Sequence, residues 1–335
     1  MNFAFCRQSL CGELSPLEEL VENAVGFRTT FFENLENGLR STIGPPPAAA
    51  VNLMRTTLLI LIFAASVTAK TGLAGESPDV VKPPQRVLLL GQKPDSHPAT
   101  THEYMAGVRL LAGMLSRTDG IQTIVVQADS PWADGPEMLD GADAAIVFLT
   151  EGARWVTEDP QRLTAFQRLA KRGGGLTCLH WGMGTRESAP IADFTLLFGG
   201  CHGGPDRKYK VATLTAKPAA QPHPVISGIA PFEVRDEFYY ALKGPDANST
   251  YRVTPLLLVP IDGQDQSVAW ACERADKGRS FGFSGLHFHE NWKLPEYRRL
   301  VLQGVLWTLG RTIPESGIPV EVAPEALALP KPSTK

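Results

Sequence analysis

The sequence predicts an α/β fold built on a doubly wound, mostly parallel sheet of flavodoxin-like order with an antiparallel extension. The first predicted strands are short and almost wholly apolar, which is typical of strands covered by helices on both faces. Helical segments separate them in the order β-α-β-β-α-β, which indicates a doubly wound sheet. From Tyr209 onward the strands are more polar and follow one another closely, which favours antiparallel neighbours.

The first half of the domain starts with an apolar strand at residues 87–90. Thr100 and Glu103 have the spacing of a capping box, and apolar residues then recur at helical spacing as far as Leu115. Further strands are predicted at residues 123–126, 144–149 and 176–179. A helix at residues 160–171 ends at the glycine run 173–175.

The second half is richer in strands. They are predicted at residues 210–215, 251–258, 267–272 and 280–284, and a last helix at residues 296–309 turns apolar side chains toward the core. Residues 85–315 therefore form one domain. The proline-rich segment 316–335 is predicted to be a loosely attached tail.

Residues 54–74 have the pattern of a secretory signal peptide: a basic start at Arg55, a short apolar run and small residues near Ala69. We therefore expect an exported protein, periplasmic or secreted, with no membrane span after cleavage. Residues 1–53 are then an over-extended reading of the gene that starts before Met54, and residues 75–84 are a linker. The competing interpretation makes residues 58–69 a buried or interfacial helix.

Composition excludes some classes of partner. The formal net charge is -3 and no run of lysine or arginine occurs, so nucleic acid is not an expected partner. A small polar molecule is favoured instead. The domain holds three cysteines, Cys178, Cys201 and Cys272, which do not make a disulfide framework.

Histidines gather where predicted strands end. None of the seven lies in the first 96 residues. His97 and His102 follow the first strand, His180 ends the 176–179 strand, and His287 follows the 280–284 strand. Ligands of open α/β sheets bind at the carboxyl ends of the strands, so this distribution predicts one imidazole-rich site.

His180 is followed by Trp181 and Gly182, a tight exit from a strand that is similar to a nucleophile elbow. This position favours a catalytic role for His180. Cys178 lies two residues earlier and is predicted to be a small buried residue, although a cysteine-dependent hydrolase using Cys178 remains an alternative.

His287 and His289 stand at i and i+2, so in an extended segment both rings point the same way. With His180 they form the predicted ligand set for a divalent metal such as zinc, iron or manganese. Such a site adds a carboxylate, and Asp236, Glu237 and Glu290 are the candidates. Without a metal, the same rings suit acid/base chemistry.

The segment from Asp236 to Tyr240 supplies carboxylates and aromatic rings. Strand alternation sends Asp236 and Glu237 to opposite faces, so only one of them faces the site. We expect Glu237, His180 and His287 to be catalytic. The predicted substrate-binding residues are His97, His102, His202 in its glycine-rich loop, Asp236, Tyr239, His289 and Trp292.

Several motifs, found in order between residues 86 and 319, resemble the ThuA-like family of trehalose utilisation and its large secreted members. They are the segments 93–98, 101–104, 178–180, 223–232, 236–240, 268–270 and 282–292. The resemblance implies a fold like that of the class I glutamine amidotransferases. It also implies a role in carbohydrate catabolism, on disaccharides or their 3-keto derivatives. The amidotransferases carry cysteine at the elbow tip, whereas this chain carries His180, which argues against glutaminase chemistry.

The leading hypothesis is therefore an enzyme that acts on an oxidised glycoside. The C–H beside the carbonyl of a 3-keto sugar is acidic, so a neutral histidine near pH 7 can remove that proton, and a metal can polarise the carbonyl. The alternative is a non-catalytic module that binds or senses sugar.

Overall fold

The computed structural model describes residues 83–246 and 250–329. The predictions for residues 1–53 and 54–74, and most of the 75–84 linker, lie outside the described residues. Within the described part, no helix has both the length and the apolar character needed to cross a bilayer.

Within residues 83–246 and 250–329, nine strands form one sheet in the order β2-β1-β3-β4-β11-β10-β9-β7-β8. Their bounds are β1 Gln85–Gly91, β2 Ile121–Gln127, β3 Ala144–Val147, β4 Gly175–Leu179, β7 Lys208–Pro218, β8 Phe232–Tyr240, β9 Arg252–Ile261, β10 Gln264–Glu273 and β11 Arg279–Phe283. Two short strands, β5 Gly184–Thr185 and β6 His202–Gly203, pair apart from it.

The sheet has a parallel half and an antiparallel half. Strands β2, β1, β3, β4 and β11 are mutually parallel, in the doubly wound order 2-1-3-4 with β11 in fifth place. Strands β10, β9, β7 and β8 add to the β11 edge with antiparallel pairing. The predicted fold class is therefore confirmed, including the antiparallel extension.

In the described residues, six α-helices accompany the sheet: α1 Tyr104–Leu115, α2 Gly135–Asp140, α3 Gly152–Glu158, α4 Pro160–Lys171, α5 Ile191–Phe198 and α6 Pro295–Thr308. Helices α1 and α6 contribute to the apolar core on one face, and α3, α4 and α5 to the core on the other. Strand β1 alternates between the two, with Val87 in the first core and Leu88 in the second. Apolar side chains are needed on both faces of such a strand, which explains its continuous apolar run.

Three helices were not predicted because each is short: α2, α3 and α5 have six, seven and eight residues. Two turns of helix give few repeats of an apolar period. Helix α1 also starts later than the capping-box spacing predicts. Glu103 accepts a hydrogen bond from the Thr100 amide (3.2 Å), but Thr100 and His102 have positive φ, so the helix begins only at Tyr104.

The tail is more firmly attached than its proline content suggests. The side chain of Val320 is 2 % exposed, and the Val320 carbonyl accepts a 2.8 Å hydrogen bond from Arg298 Nε of α6. The Ile318 amide donates to Gln303 Oε1 at 2.8 Å. The expected loose attachment is therefore wrong for this part of the tail, because Ile318 and Val320 are apolar residues that join the core beside α6.

Candidate functional site

His180 stands at the tip of the turn that leaves β4. Its φ is +46°, a left-handed conformation that histidine adopts only where its surroundings impose it, and a 3-10 turn from His180 to Met183 follows. The ring is fully buried, and its Nδ1 donates a 2.7 Å hydrogen bond to the Ser284 carbonyl. Nε2 therefore carries the lone pair and faces the carboxyl end of the sheet.

His102 comes from the turn between β1 and α1. Its Nδ1 donates to Asp95 Oδ2 at 2.8 Å, and the Tyr104 hydroxyl donates to the same oxygen at 2.9 Å. Burial raises the pKa of Asp95, but hydrogen bonds from His102 and His97 outweigh burial and hold that pKa below its usual range. The ionised carboxylate thus keeps the hydrogen of His102 on Nδ1 and leaves the lone pair on Nε2.

His287 is positioned by its backbone. Asp236, fully buried on β8, accepts hydrogen bonds from the amides of Leu286 (2.7 Å) and His287 (3.1 Å) and from the Tyr297 hydroxyl (3.0 Å). Leu286 has a φ of +80°, so this carboxylate holds a strained loop in place. Asp236 therefore stabilises the wall of the site. The prediction that Asp236 binds the substrate is wrong, because its carboxylate is buried.

Three ring nitrogens converge at the centre of the site. His102 Nε2 lies 3.0 Å from His180 Nε2 and 3.0 Å from His287 Nδ1, and the last two atoms are 3.2 Å apart. Glu237 Oε1 lies 3.7 Å from His287 Nδ1 and 3.9 Å from His180 Nε2. These four side chains form the histidine cluster: His102, His180, Glu237 and His287.

The contact between His102 and His180 joins two hydrogen-bond acceptors. Each ring has its hydrogen on Nδ1, where the acceptor is a carboxylate or a carbonyl, so no hydrogen lies between the two Nε2 atoms. Two lone pairs at 3.0 Å repel each other unless a cation lies between them. A proton or a metal ion would relieve that repulsion.

Burial disfavours the proton. It lowers the pKa of His180 well below the ordinary value and lowers that of His287 to about 4, and in both cases the neighbouring histidines add to the effect. Burial also lowers the pKa of His102, although Asp95 opposes it. All three rings are thus neutral near pH 7, the form in which histidine binds metals.

The donor set fits a divalent metal. With metal–nitrogen bonds of about 2.1 Å, neighbouring nitrogens lie about 3.0 Å apart in octahedral geometry and about 3.4 Å apart in tetrahedral geometry. The observed separations of 3.0 to 3.2 Å fall in that range. Three imidazoles and one carboxylate are ligands typical of zinc or non-haem iron. The part of the chain that the structure describes therefore contains a group suited to metal binding.

Tyr239 lies beside the cluster, between two imidazoles. Its ring stacks on His202 with the centres 3.8 Å apart and on His180 at 4.6 Å, and its hydroxyl oxygen lies 3.1 Å from His180 Nε2. His202 thus contacts the site through Tyr239. His97 stands at the rim, where its ring packs 3.8 Å from that of His102 and its Nδ1 bonds to Asp95 at 2.7 Å.

Two predicted site residues lie elsewhere. His289 does not face the same way as His287, because a 3-10 turn begins at His289 and replaces the expected extended segment. Its ring is buried beside Pro324 and Leu327, so His289 does not join His180 and His287, and His102 lies beside those two rings instead. Trp292 is 1 % exposed and packs in the core near Gly107, so it cannot bind a substrate at the surface.

Cys178 is fully buried in the core, and burial raises its thiol pKa well above the ordinary value. A nucleophilic cysteine needs an accessible thiolate, so the geometry argues against the cysteine-dependent alternative.

A cavity of about 160 Å³ opens beside the histidine cluster. It is lined by His97, His102, Trp181, Arg186, His202, Arg207, Tyr209, Glu237 and Tyr239. Asp95, Arg186 and Arg207 did not emerge from the sequence as site residues. Asp95 lies two residues before His97, a spacing that indicates an aspartate-histidine pair, but nothing in the sequence brings Arg207 to this cavity.

The family model for trehalose utilisation, ThuA, matches residues 86–308. Among solved structures, a ThuA-like protein of Bacteroides uniformis is similar at a TM-score of 0.52 and 16 % identity, covering 71 % of this chain and 97 % of that one. A cytoplasmic protein of Salmonella typhimurium LT2 has a TM-score of 0.47 and 14 % identity, and the match covers 67 % of this chain and 99 % of that one. A glutamine amidotransferase of Thermotoga maritima has a TM-score of 0.35 and 12 % identity, and the match covers 67 % of this chain and 96 % of that one.

A search of curated proteins gave no significant match. The ThuA model spans about two thirds of the sequence and includes all four residues of the histidine cluster. The chain therefore belongs to the ThuA family of trehalose utilisation.

Proposed function

We propose that this chain is a metal-dependent enzyme that cleaves 3-keto glycosides by elimination. The observation that carries the proposal is the approach of three neutral imidazole nitrogens within 3.0 to 3.2 Å of one another, two of them lone-pair to lone-pair. Membership of a carbohydrate-related family supports a sugar as the substrate.

His102, His180 and His287 would hold the metal, and Glu237, whose Oε1 lies 3.7 Å from His287 Nδ1, would stay free to act as a base. A divalent metal bound there supplies a Lewis acid that polarises the ketone oxygen of the substrate. Every other step falls to the protein's own residues. Because three histidines serve as ligands, the acid/base role moves from histidine to Glu237.

Glu237 is the best-placed base. Burial raises the pKa of its carboxyl, and a hydrogen bond from Tyr239 opposes that rise, so the group is a stronger base than an exposed glutamate. It takes the proton from C2, beside the C3 ketone. The electron pair of that C–H bond forms the C1–C2 double bond as the C1–O bond breaks, and the proton passes to the leaving oxygen. The products are an unsaturated keto sugar and an alcohol.

The cavity limits what can react. Its volume of about 160 Å³ is below the range of about 300 to 1,000 Å³ that drug-sized ligands occupy. One sugar residue fits there, and the second residue of a disaccharide would extend past Tyr209, which is 59 % exposed. Aromatic rings such as Tyr209 and Trp181 suit the apolar faces of sugars.

The test is turnover of a methyl 3-keto-glucoside and of the corresponding acidic 3-keto-glucuronide by protein that has been stripped of metal and then reloaded with zinc, iron or manganese. We expect activity only after reloading with at least one of the three. An unchanged substrate under every metal condition would contradict the proposal.

Glu237→Gln separates chemistry from binding. We expect it to retain metal and bound sugar but to lose turnover by at least about a hundredfold, since general base catalysis contributes about 10² to 10⁴. Glu233→Gln, an exposed position on the same strand, should keep full activity. If the chain were a sugar-binding module without catalytic activity, the parent protein and both variants would bind the sugar and none of them would turn it over.

A further inference from the structure

Two guanidinium groups share the cavity with the histidine cluster. Arg186 is paired with the carboxylate of Glu151. Arg207 has no such partner: in residues 83–246 and 250–329, no carboxylate oxygen lies within 4.0 Å of its side-chain nitrogens. Its neighbour Asp206 is paired with Lys243 instead. Among the residues that the structure describes, Arg207 thus has no counter-ion in the wall of the site.

Arg207 is held in position. It is half-buried, and its Nη1 donates to the Gly204 carbonyl at 3.1 Å. Its Cζ lies 5.9 Å from the centre of the Trp181 ring, and the Cζ of Arg186 lies 5.7 Å from the same centre. Fixing a long side chain costs conformational entropy, so a fixed guanidinium that lines a cavity suits a ligand better than it suits solvent.

The positive charge of Arg207 also reaches the site. Burial, together with the smaller effect of the positive charge of Arg207, lowers the pKa of His202 to about 3. His202 stacks on Tyr239, which contacts His180. Arg207 therefore lies within two aromatic rings of the histidine cluster, a distance that one small molecule can span.

We propose that Arg207 binds an anionic group of the substrate, so that the sugar residue in this cavity is acidic and carries a carboxylate or a phosphate. A guanidinium matches either group with two parallel hydrogen bonds. Nη1 already bonds to Gly204, and in the described residues Nε and Nη2 make no other hydrogen bond. A neutral sugar would leave this partly desolvated charge uncompensated. The inference rests on the proposed function, since it places the anion on the sugar that function requires.

Calorimetry on the metal-loaded full chain tests this, with three ligands that do not react: methyl glucuronide, glucose 6-phosphate and methyl glucoside. We expect at least one acidic sugar to bind about tenfold or more tightly than methyl glucoside, because a charged hydrogen-bonded pair is stronger than a neutral one. The two acidic ligands distinguish carboxylate from phosphate.

Arg207→Met should weaken the binding of the acidic sugar by about ten- to a hundredfold and leave the affinity for methyl glucoside unchanged. The affinity of Arg207→Lys for the acidic sugar should lie between those of Arg207→Met and the parent protein. Lys210→Met, at an exposed cation three residues further along the chain on β7, is the matched control and should change the binding of neither sugar. Equal binding of acidic and neutral sugars would overturn this inference and leave the proposed function standing. Binding of no sugar would overturn both.

Discussion

Two aspartates decide where the histidine nitrogens point. Asp95 fixes the tautomer of His102, and Asp236 holds the loop that carries His287. Neither carboxylate belongs to the histidine cluster itself. Partners of this kind orient metal ligands and raise their basicity. At the residue scale, the arrangement of the histidine cluster is therefore set by two carboxylates that lie outside it.

Asp95→Asn tests this organisation. The amide cannot replace the carboxylate as an ionised acceptor for His102, so we expect metal affinity to fall by about ten- to a hundredfold. Competition against a chromophoric chelator measures it. Asp262→Asn, at a side chain that is 68 % exposed, is the control and should bind metal as the parent protein does. Equal affinity in both variants would show that Asp95 has no positioning role.

His202 makes the stability of metal-free protein depend on pH. Its pKa of about 3 in the folded chain is lower than the value of about 6.5 in the unfolded chain, so only the unfolded chain takes up a proton between these limits. The contribution of His202 to the free energy of unfolding is therefore complete above about pH 6.5 and decreases as the pH falls. Relative to His202→Phe, which keeps the stacking on Tyr239, the parent protein should lose about 2 kcal/mol of its free energy of unfolding between pH 7.5 and pH 5.

Urea unfolding at those two pH values, on chelator-treated protein, measures the difference. If the free energies of unfolding of the two proteins decreased in parallel, His202 would have no part in the pH dependence.

Some site residues were accessible from the sequence and others were not. His102, His180 and His287 were expected near one another because each ends or follows a predicted strand. Glu237 was a candidate because strand alternation lets only one of Asp236 and Glu237 face the site. His289 was placed wrongly because a 3-10 turn begins there, and the sequence Leu-His-Phe-His contains no glycine, proline or asparagine that would signal such a turn. Arg207 reaches the cavity only through the packing of distant segments, which no local pattern encodes.

At the scale of elements, the elbow after β4 is pinned from two sides. A Cβ on Gly182 would lie 2.3 Å from the Val147 carbonyl oxygen of β3, and a Cβ on Gly152, the first residue of α3, would lie 2.1 Å from the Gly182 carbonyl oxygen. Only glycine permits such close approach of three backbone segments. This packing supports the left-handed backbone of His180.

Gly152→Ala should therefore destabilise the protein and displace the elbow. We expect a loss of about 1 to 3 kcal/mol in the free energy of unfolding, together with weaker metal binding, because backbone and not a flexible side chain must move. Gly113→Ala is the matched comparison: Gly113 lies in α1, and a Cβ there meets nothing within 4 Å. That substitution should stabilise by up to about 1 kcal/mol. Equal effects of the two changes would refute the packing role.

The elements themselves were largely predictable. Apolar runs located the parallel strands and helices α4 and α6, since these segments are long or buried enough to show a clear pattern. The short helix α3 was missed, although it carries one wall of the elbow. The pairing of β11 with β4 was also outside the reach of local pattern, because it joins strands about a hundred residues apart.

At the scale of the whole molecule, metal binding and folding should be coupled. A ligand that binds only the folded chain stabilises it by about 2.7 kcal/mol at a concentration one hundred times its Kd. For a domain of this size, that corresponds to a rise in Tm of about 5 to 10 °C. Thermal unfolding with zinc and with chelator measures the shift. His180→Ala should remove it, and the same shift in that variant would place the metal elsewhere.

The contact between His102 and His287 spans 185 positions of the chain. A ribosome releases the first of these rings long before the last, so no nascent chain can assemble the three-histidine set until nearly all of the domain has emerged. If the metal binds as proposed, its capture would mark the end of synthesis, and a prematurely terminated chain would stay empty. Metal content would then report whether each molecule had been finished.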